Sequence, residues 1–274
     1  MRKTVPFLLL LCSLRLPAQM MLRPLASPAS RYTGYSLHHS DLFSFTANPA
    51  ALAAQSRPAA GLLAERPFLL PELNSLMLAA TVSTNSGQFG LSAIYTGSAD
   101  HSQTNAGLAY GRSLGSKVSV GARFGMQQIR FSSGYGQATA VTSEAGLIIH
   151  LTDQLHTGFR VANPVAARFG PGKSEKLPAV YTFGAGYEAS AQLLVAFTVE
   201  KEEYRPVNVT AGISYLPVPV LLIRAGLSSA TSSWFTETAL VIKSTRISVL
   251  ASYHPQLGVT PGLSFIFHFN KKES

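Results

Sequence analysis

The sequence predicts an all-β fold: a transmembrane antiparallel β-barrel of about 14 strands, with an N-terminal plug segment containing a short helix. Three observations predict it. The first is alternation. Residues 207–215 read V-N-V-T-A-G-I-S-Y, so Val207, Val209, Ala211, Ile213 and Tyr215 share one face while Asn208, Thr210, Gly212 and Ser214 share the other. Most of the chain repeats this pattern in segments long enough for a tilted strand to cross a bilayer, roughly 9–11 residues. The second is low charge. Only 13% of the 274 residues are charged, against about 25% in soluble domains, and mean hydropathy is mildly positive at +0.19. No apolar run beyond the first dozen residues approaches the ~18 that a spanning helix needs. The third is the sorting of connections, short and long in alternation, which barrels show and soluble sandwiches have no reason to show.

In chain order, Arg2 and Lys3 precede an apolar stretch over 5–11 and a Leu16-Pro17-Ala18-Gln19 junction, the layout of a secretory signal peptide over residues 1–18. A lipoprotein signal through Cys12 is disfavoured by the bulky Leu11 before it. Cys12 is the sole cysteine, so a mature chain would have no disulfide or thiol chemistry. Three of the 22 basic residues (Arg2, Lys3, Arg15) lie in this leader. The rest number 19 against 13 acids, a net of +6. These charges are scattered, without the basic stripe that nucleic acid selects, so nucleic acid is excluded as a partner.

Residues 19–58 form the expected plug or hatch. Asn48 suits an N-cap, Pro49 the first helical position, and the alanines from Ala50 onward favour a short helix. Phe43, Phe45 and Leu52, with Leu42, need something to pack against, which favours a segment tucked inside the barrel over a mobile linker. The barrel then occupies 59–269, with strands expected near 59–66, 74–83, 88–97, 104–113, 117–131, 138–151, 154–162, 179–188, 192–201, 207–215, 220–228, 234–243, 246–254 and 261–269. A tail covers 270–274. Outer-membrane lipid is the expected surroundings, and the cell outer membrane the expected location.

Phase assigns the inward face. Arginines fall with glycines and polar residues, opposite the apolar set, because an arginine facing lipid at mid-depth costs roughly 2–4 kcal/mol. The lumen-facing set is Arg123, Glu144, His150, His156, Arg160, Glu188, Glu200, Arg224, Glu237, His254 and His268. Inward glycines, such as Gly107, Gly121, Gly146, Gly184 and Gly212, leave room beside those charges. Tyr95, Tyr110, Tyr187, Tyr215, Tyr253 and Phe269 fall outward near strand ends, where an aromatic girdle belongs. The set reads either as a salt-bridged interior that holds the plug or as a selective pathway for a ligand.

Catalytic and metal groupings are weak. His38, His39 and Asp41 are a candidate metal cluster, and Ser248, Ser252 and His254 a candidate esterase-like face that lacks a third group to orient the histidine. Neither outweighs polar-surface or lumen roles, so no catalytic residue, metal or cofactor is expected. The glycine-rich stretches have no following helix to cradle a phosphate.

The segment D-L-F-S-F-T-A-N-P-A-A-L (residues 41–52) ahead of a run of strands resembles the PorV/PorQ group of Bacteroidetes outer-membrane proteins, itself similar to FadL-type long-chain fatty-acid transporters. The Asn48-Pro49-Ala50 element carries the likeness, echoed by Gly107-Leu108-Ala109-Tyr110-Gly111-Arg112, Asn163-Pro164 and residues 253–261. The resemblance implies a FadL-like barrel with Asn48, Pro49, Ala50, Leu52, Phe43 and Phe45 in an internal hatch. It implies either passage of a small hydrophobic or amphipathic solute or an accessory role beside the type IX secretion machinery, with secretion-system proteins as partners. The chain departs from that group in having Gly34 as the only glycine of residues 32–40, and in extending past Phe269.

Overall fold

The computed structural model describes residues 29–131, 136–165, 167–169 and 175–269. The leader over 1–18, the first ten residues of the 19–58 segment and the 270–274 tail lie outside the described residues. Fourteen strands close into one antiparallel barrel: β1 (Ala59–Glu65), β2 (Ser75–Thr84), β3 (Gly87–Gly97), β4 (His101–Leu114), β5 (Val118–Phe131), β6 (Gln137–His150) and β7 (Leu155–Ala162), then β10 (Val180–Ser190), β11 (Leu193–Glu202), β12 (Asn208–Val218), β13 (Leu221–Ser228), β14 (Ser233–Ile242), β15 (Thr245–His254) and β16 (Gly258–His268). Each wall strand pairs with its neighbours along the chain, β7 passing directly to β10. β1 pairs with β16 from Ala59↔His268 to Glu65↔Gly262, which removes the last free edge.

Lipid offers no hydrogen bonds, so a spanning sheet has to close. Period two then sorts the side chains. Along β12, Asn208, Thr210, Gly212 and Ser214 are buried, while Val209, Ile213 and Tyr215 are exposed on the outside. The outward aromatics form two bands. Tyr95 and Tyr253 lie at the long-loop end, where Trp234 stacks on Tyr253; Tyr187, Tyr215 and Phe269 lie at the short-turn end with Tyr110, which packs against Phe89.

The expected strands all occur, with shifted ends. β4 starts three residues earlier than expected, at His101, and β16 at Gly258, so residues 255–257 form a tight turn. β12 continues through Pro217 past a register shift between Tyr215 and Val218, because a proline is tolerated where the ladder is already interrupted. Within the 163–179 connection a two-stranded hairpin forms from β8 (Arg168–Phe169) and β9 (Glu175–Lys176), too short for periodicity to show. Its Phe169, with Leu177, packs on the inward Ile129 and Ala140 of β5 and β6, so these two side chains reach back over the wall. Asn163 sits at φ 54°, and its Nδ2 donates to Leu177 O at 2.7 Å, joining the two ends of the connection.

Val249 is exposed at the centre of β15 on the outward face. Val249→Arg is expected to lower stability by about 2–4 kcal/mol in bilayers, read by denaturant unfolding with a heat-shifted gel band as the folded-state marker.

Candidate functional site

Between its first described residue and the start of β1, the chain runs inside the barrel and reaches the wall at the short-turn end. It forms α1 (Ser30–Thr33) and two 3₁₀ turns (Ser44–Thr46 and Pro49–Ala54) and makes no strand pairing with the wall. Asn48 caps the second turn in extended geometry, its Oδ1 accepting from Ala50 N at 3.0 Å, with Pro49 at the first position. The expected helix therefore exists, wound as a 3₁₀ turn.

Two kinds of contact seat this segment, the expected hatch. Leu42, Phe43, Phe45 and Leu52 are fully buried among Leu63, Met77, Ile94 and Ile266 of the wall. Glycines supply the clearance. A Cβ on Gly121 would fall 2.5 Å from Pro49 O, one on Gly146 would strike the Asn48 side chain, and Gly184 and Gly212 leave space for the rings of Tyr35 and Tyr32. Of the inward glycines, Gly107 makes room for a charge, Arg123. The others just named make room for the hatch, which corrects the expectation drawn from phase.

Charge then fixes the hatch in place. Arg224, only 2% exposed, donates through Nη1 to Asp41 Oδ2 at 2.6 Å and through Nη2 to His39 O at 2.9 Å. Arg246 Nη2 donates to the same Asp41 oxygen at 2.6 Å, and Glu237 completes the set, 3.4 Å from Arg224 and 3.9 Å from Arg246. Asp41 Oδ1 accepts from Phe43 N at 2.9 Å. Burial alone would raise the Asp41 carboxyl, but Arg246 and Arg224 override it and hold it far below the usual carboxylate range. Three strands along the wall, on β10, Glu188 Oε1 accepts from Ser36 Oγ and Leu37 N, both at 2.6 Å, and Oε2 meets His38 Nδ1. His39 Nδ1 lies 3.0 Å from Ser214 Oγ; burial first, and then the Arg224 charge, push its imidazole down to about 4.

A cavity of about 220 Å³ lies beyond the hatch, toward the long loops. Thr46 and Ala47 floor it, Leu177 and Pro178 close over it, and Arg123, Glu144 and Arg160 stand on its wall. Arg123 Nη1 donates to Glu144 Oε1 at 2.7 Å, and Arg160 Nε and Nη2 donate to Glu144 Oε2 at 2.9 and 2.7 Å.

The inward set is thus divided. Arg224, Glu237 and Glu188 hold the hatch, while Arg123, Glu144, Arg160 and Glu200 line the cavity. His156 is buried beside His150 and lies 3.6 Å from Glu188. His254 stands apart at the long-loop end, its ring edge-on to Phe68, and His268 ends β16. The esterase-like grouping does not assemble: His254 Nδ1 accepts from Gln256 N, and no hydrogen bond joins it to Ser248 or Ser252. His38, His39 and Asp41 reach three different partners, and among the described residues no three His, Cys, Asp or Glu side chains are placed to hold a metal. Tyr32, Tyr35 and Arg246 escaped the sequence reading. Arg246 was reachable, since it shares its face with Ser248 and Ser252; the two tyrosines lie in a segment without periodicity and carried no signal.

No protein-family model matches the sequence, and no curated protein matches it. Solved structures do share the fold. A deltaS2S3 mutant of the TodX monoaromatic hydrocarbon channel superposes with a TM-score of 0.67 at 11% identity, covering 84% of this chain and 95% of that one. The P. putida toluene transporter TodX gives 0.65 at 12%, covering 85% and 95%. A Pseudomonas aeruginosa FadL homologue gives 0.65 at 11%, covering 91% and 99%.

Two outcomes follow for the hatch. Asp41→Ala leaves two buried guanidiniums to share Glu237 and is expected to weaken docking by roughly 3 kcal/mol, seen as faster native-state proteolysis of the N-terminal segment. His39 is depressed when docked, so its contribution is complete above its free value of about 6.5 and fades as pH falls toward about 4. Protease protection should fall across that window, and His39→Gln should shrink the fall.

Proposed function

We propose that the protein is an outer-membrane channel that passes a small hydrophobic or amphipathic solute through a hatch-gated lumen. The short turns face the periplasm and the long loops the exterior, in keeping with a secretory leader over residues 1–18. One observation carries the reading: the lumen holds a segment that forms no strand ladder with the wall, with a solute-sized cavity directly outside it. A stopper that shares no ladder with the wall can leave without unzipping the barrel. The likeness to structures described as a toluene transporter and a monoaromatic hydrocarbon channel supports the same reading. Asn48, Pro49, Ala50, Leu52, Phe43 and Phe45 form the moving part, and Arg224 and Arg246 are the wall groups that it releases. The narrower kinship with the PorV/PorQ group and the secretion-accessory role rest on the sequence resemblance, and no feature of the site favours them.

In planar bilayers or solute-loaded liposomes, Asp41→Ala should raise conductance or uptake over the parent protein, and removal of residues 30–52 should raise it further. Unchanged permeability after that removal would sink the channel reading.

A further inference from the structure

The cavity outside the hatch has a mixed lining, with Ile94, Ala162, Leu177, Pro178 and Val180 beside polar side chains. Register places Arg160 beside Thr182, Thr182 beside Glu200 and Glu200 beside Asn208, while Arg123 pairs with Glu144, so hydrogen-bonding side chains run along one side of the lumen. Four guanidiniums (Arg31, Arg123, Arg160, Arg205) line the cavity against three carboxylates (Glu144, Glu200, Glu202), a surplus of one positive charge. Glu144 is saturated by two arginines, and Glu202 pairs with Arg205 at 3.1 Å.

Several polar groups on this wall are left over, Arg123 Nε among them. Arg123 uses both terminal nitrogens, on Glu144, Asn105 and Ser92. Arg160, 14% exposed, bonds Glu144 through Nε and Nη2, which leaves Nη1 without a hydrogen-bond partner among the described residues. Gln127 lines the cavity at 5% exposure, and its amide has no partner among the described residues. Thr182 Oγ1 is likewise buried and unpartnered. A bare hydrocarbon beside these groups would strip their water and return nothing.

We propose that this cavity binds the polar end of a small amphipathic solute, a single ring or short chain bearing one carboxylate, with Arg160 receiving the carboxylate and Gln127 and Thr182 donating beside it. This rests on the channel reading above and narrows its solute. Size sets the upper limit. An apolar cavity of about 150 Å³ takes benzene, so about 220 Å³ takes a ring with its substituent and excludes an extended long acyl chain. One negative charge also cancels the surplus on the lining.

The test is calorimetric titration of the full-length protein in detergent with sodium benzoate and with benzamide, its neutral counterpart. Benzoate is expected to bind saturably, one per barrel, and at least about tenfold more tightly than benzamide. Arg160→Met leaves Arg123 on Glu144 and should reduce affinity for benzoate about tenfold more than affinity for benzamide; Gln127→Leu should weaken benzoate several-fold. Absence of saturable benzoate binding, equal affinity for benzamide, or an Arg160→Met protein that folds and retains the parent's preference would overturn the proposal. If Arg160→Met does not fold, an unaltered benzoate affinity in Gln127→Leu overturns it equally. Toluene flux through the hatch-free protein separates the two readings. Flux without benzoate binding removes this inference and leaves the channel, whereas absence of flux for any solute removes the channel itself.

Discussion

Closure of the sheet is the constraint from which the rest follows. A strand in lipid has no water to bond its N–H and C=O groups, so β1 has to find β16, and it does so over its whole length. An even number of antiparallel strands brings both ends of the wall to the same side. The N-terminal segment therefore enters the barrel at the short-turn end, beside residues 55–58. With the outside committed to apolar side chains, every charge that the wall strands carry at mid-depth is pushed inward. The lumen inherits the arginines and carboxylates as a geometric consequence.

A lumen so filled needs partners for those charges, and the hatch supplies part of them. Two contributions can be weighed. Burying Leu42, Phe43, Phe45 and Leu52 is worth about 1.5–3 kcal/mol apiece, whereas a buried ion set returns little beyond its own desolvation. Apolar packing therefore holds the hatch in the barrel, and the Asp41–Arg224–Arg246–Glu237 set decides where it sits. Asp41 is the member that only the hatch provides. Glycines at Gly121, Gly146, Gly184 and Gly212 make both possible by letting backbone and rings approach the wall.

The likeness to other barrels follows from the same constraint. At 11–12% identity the shared feature is the period and the closure, which many sequences satisfy. Residues that neither face outward nor pair the strands are not bound by that constraint.

The sequence by itself determined the barrel, its strand count, the face on which each of Arg123, Arg160 and Arg224 lies, and the Asn48 cap, because each is a local consequence of period or of a single residue's backbone preference. Tertiary structure alone decided which charges meet. Asp41 lies 183 residues from Arg224 and 205 from Arg246, and nothing in spacing marks that encounter. It also decided that inward glycines make room for the N-terminal segment, that Tyr32 and Tyr35 anchor that segment, and that Phe169 and Leu177 pack back on β5 and β6. These depend on how a segment without periodicity fills a shaped interior, and the volume of that interior exists only once the wall has closed.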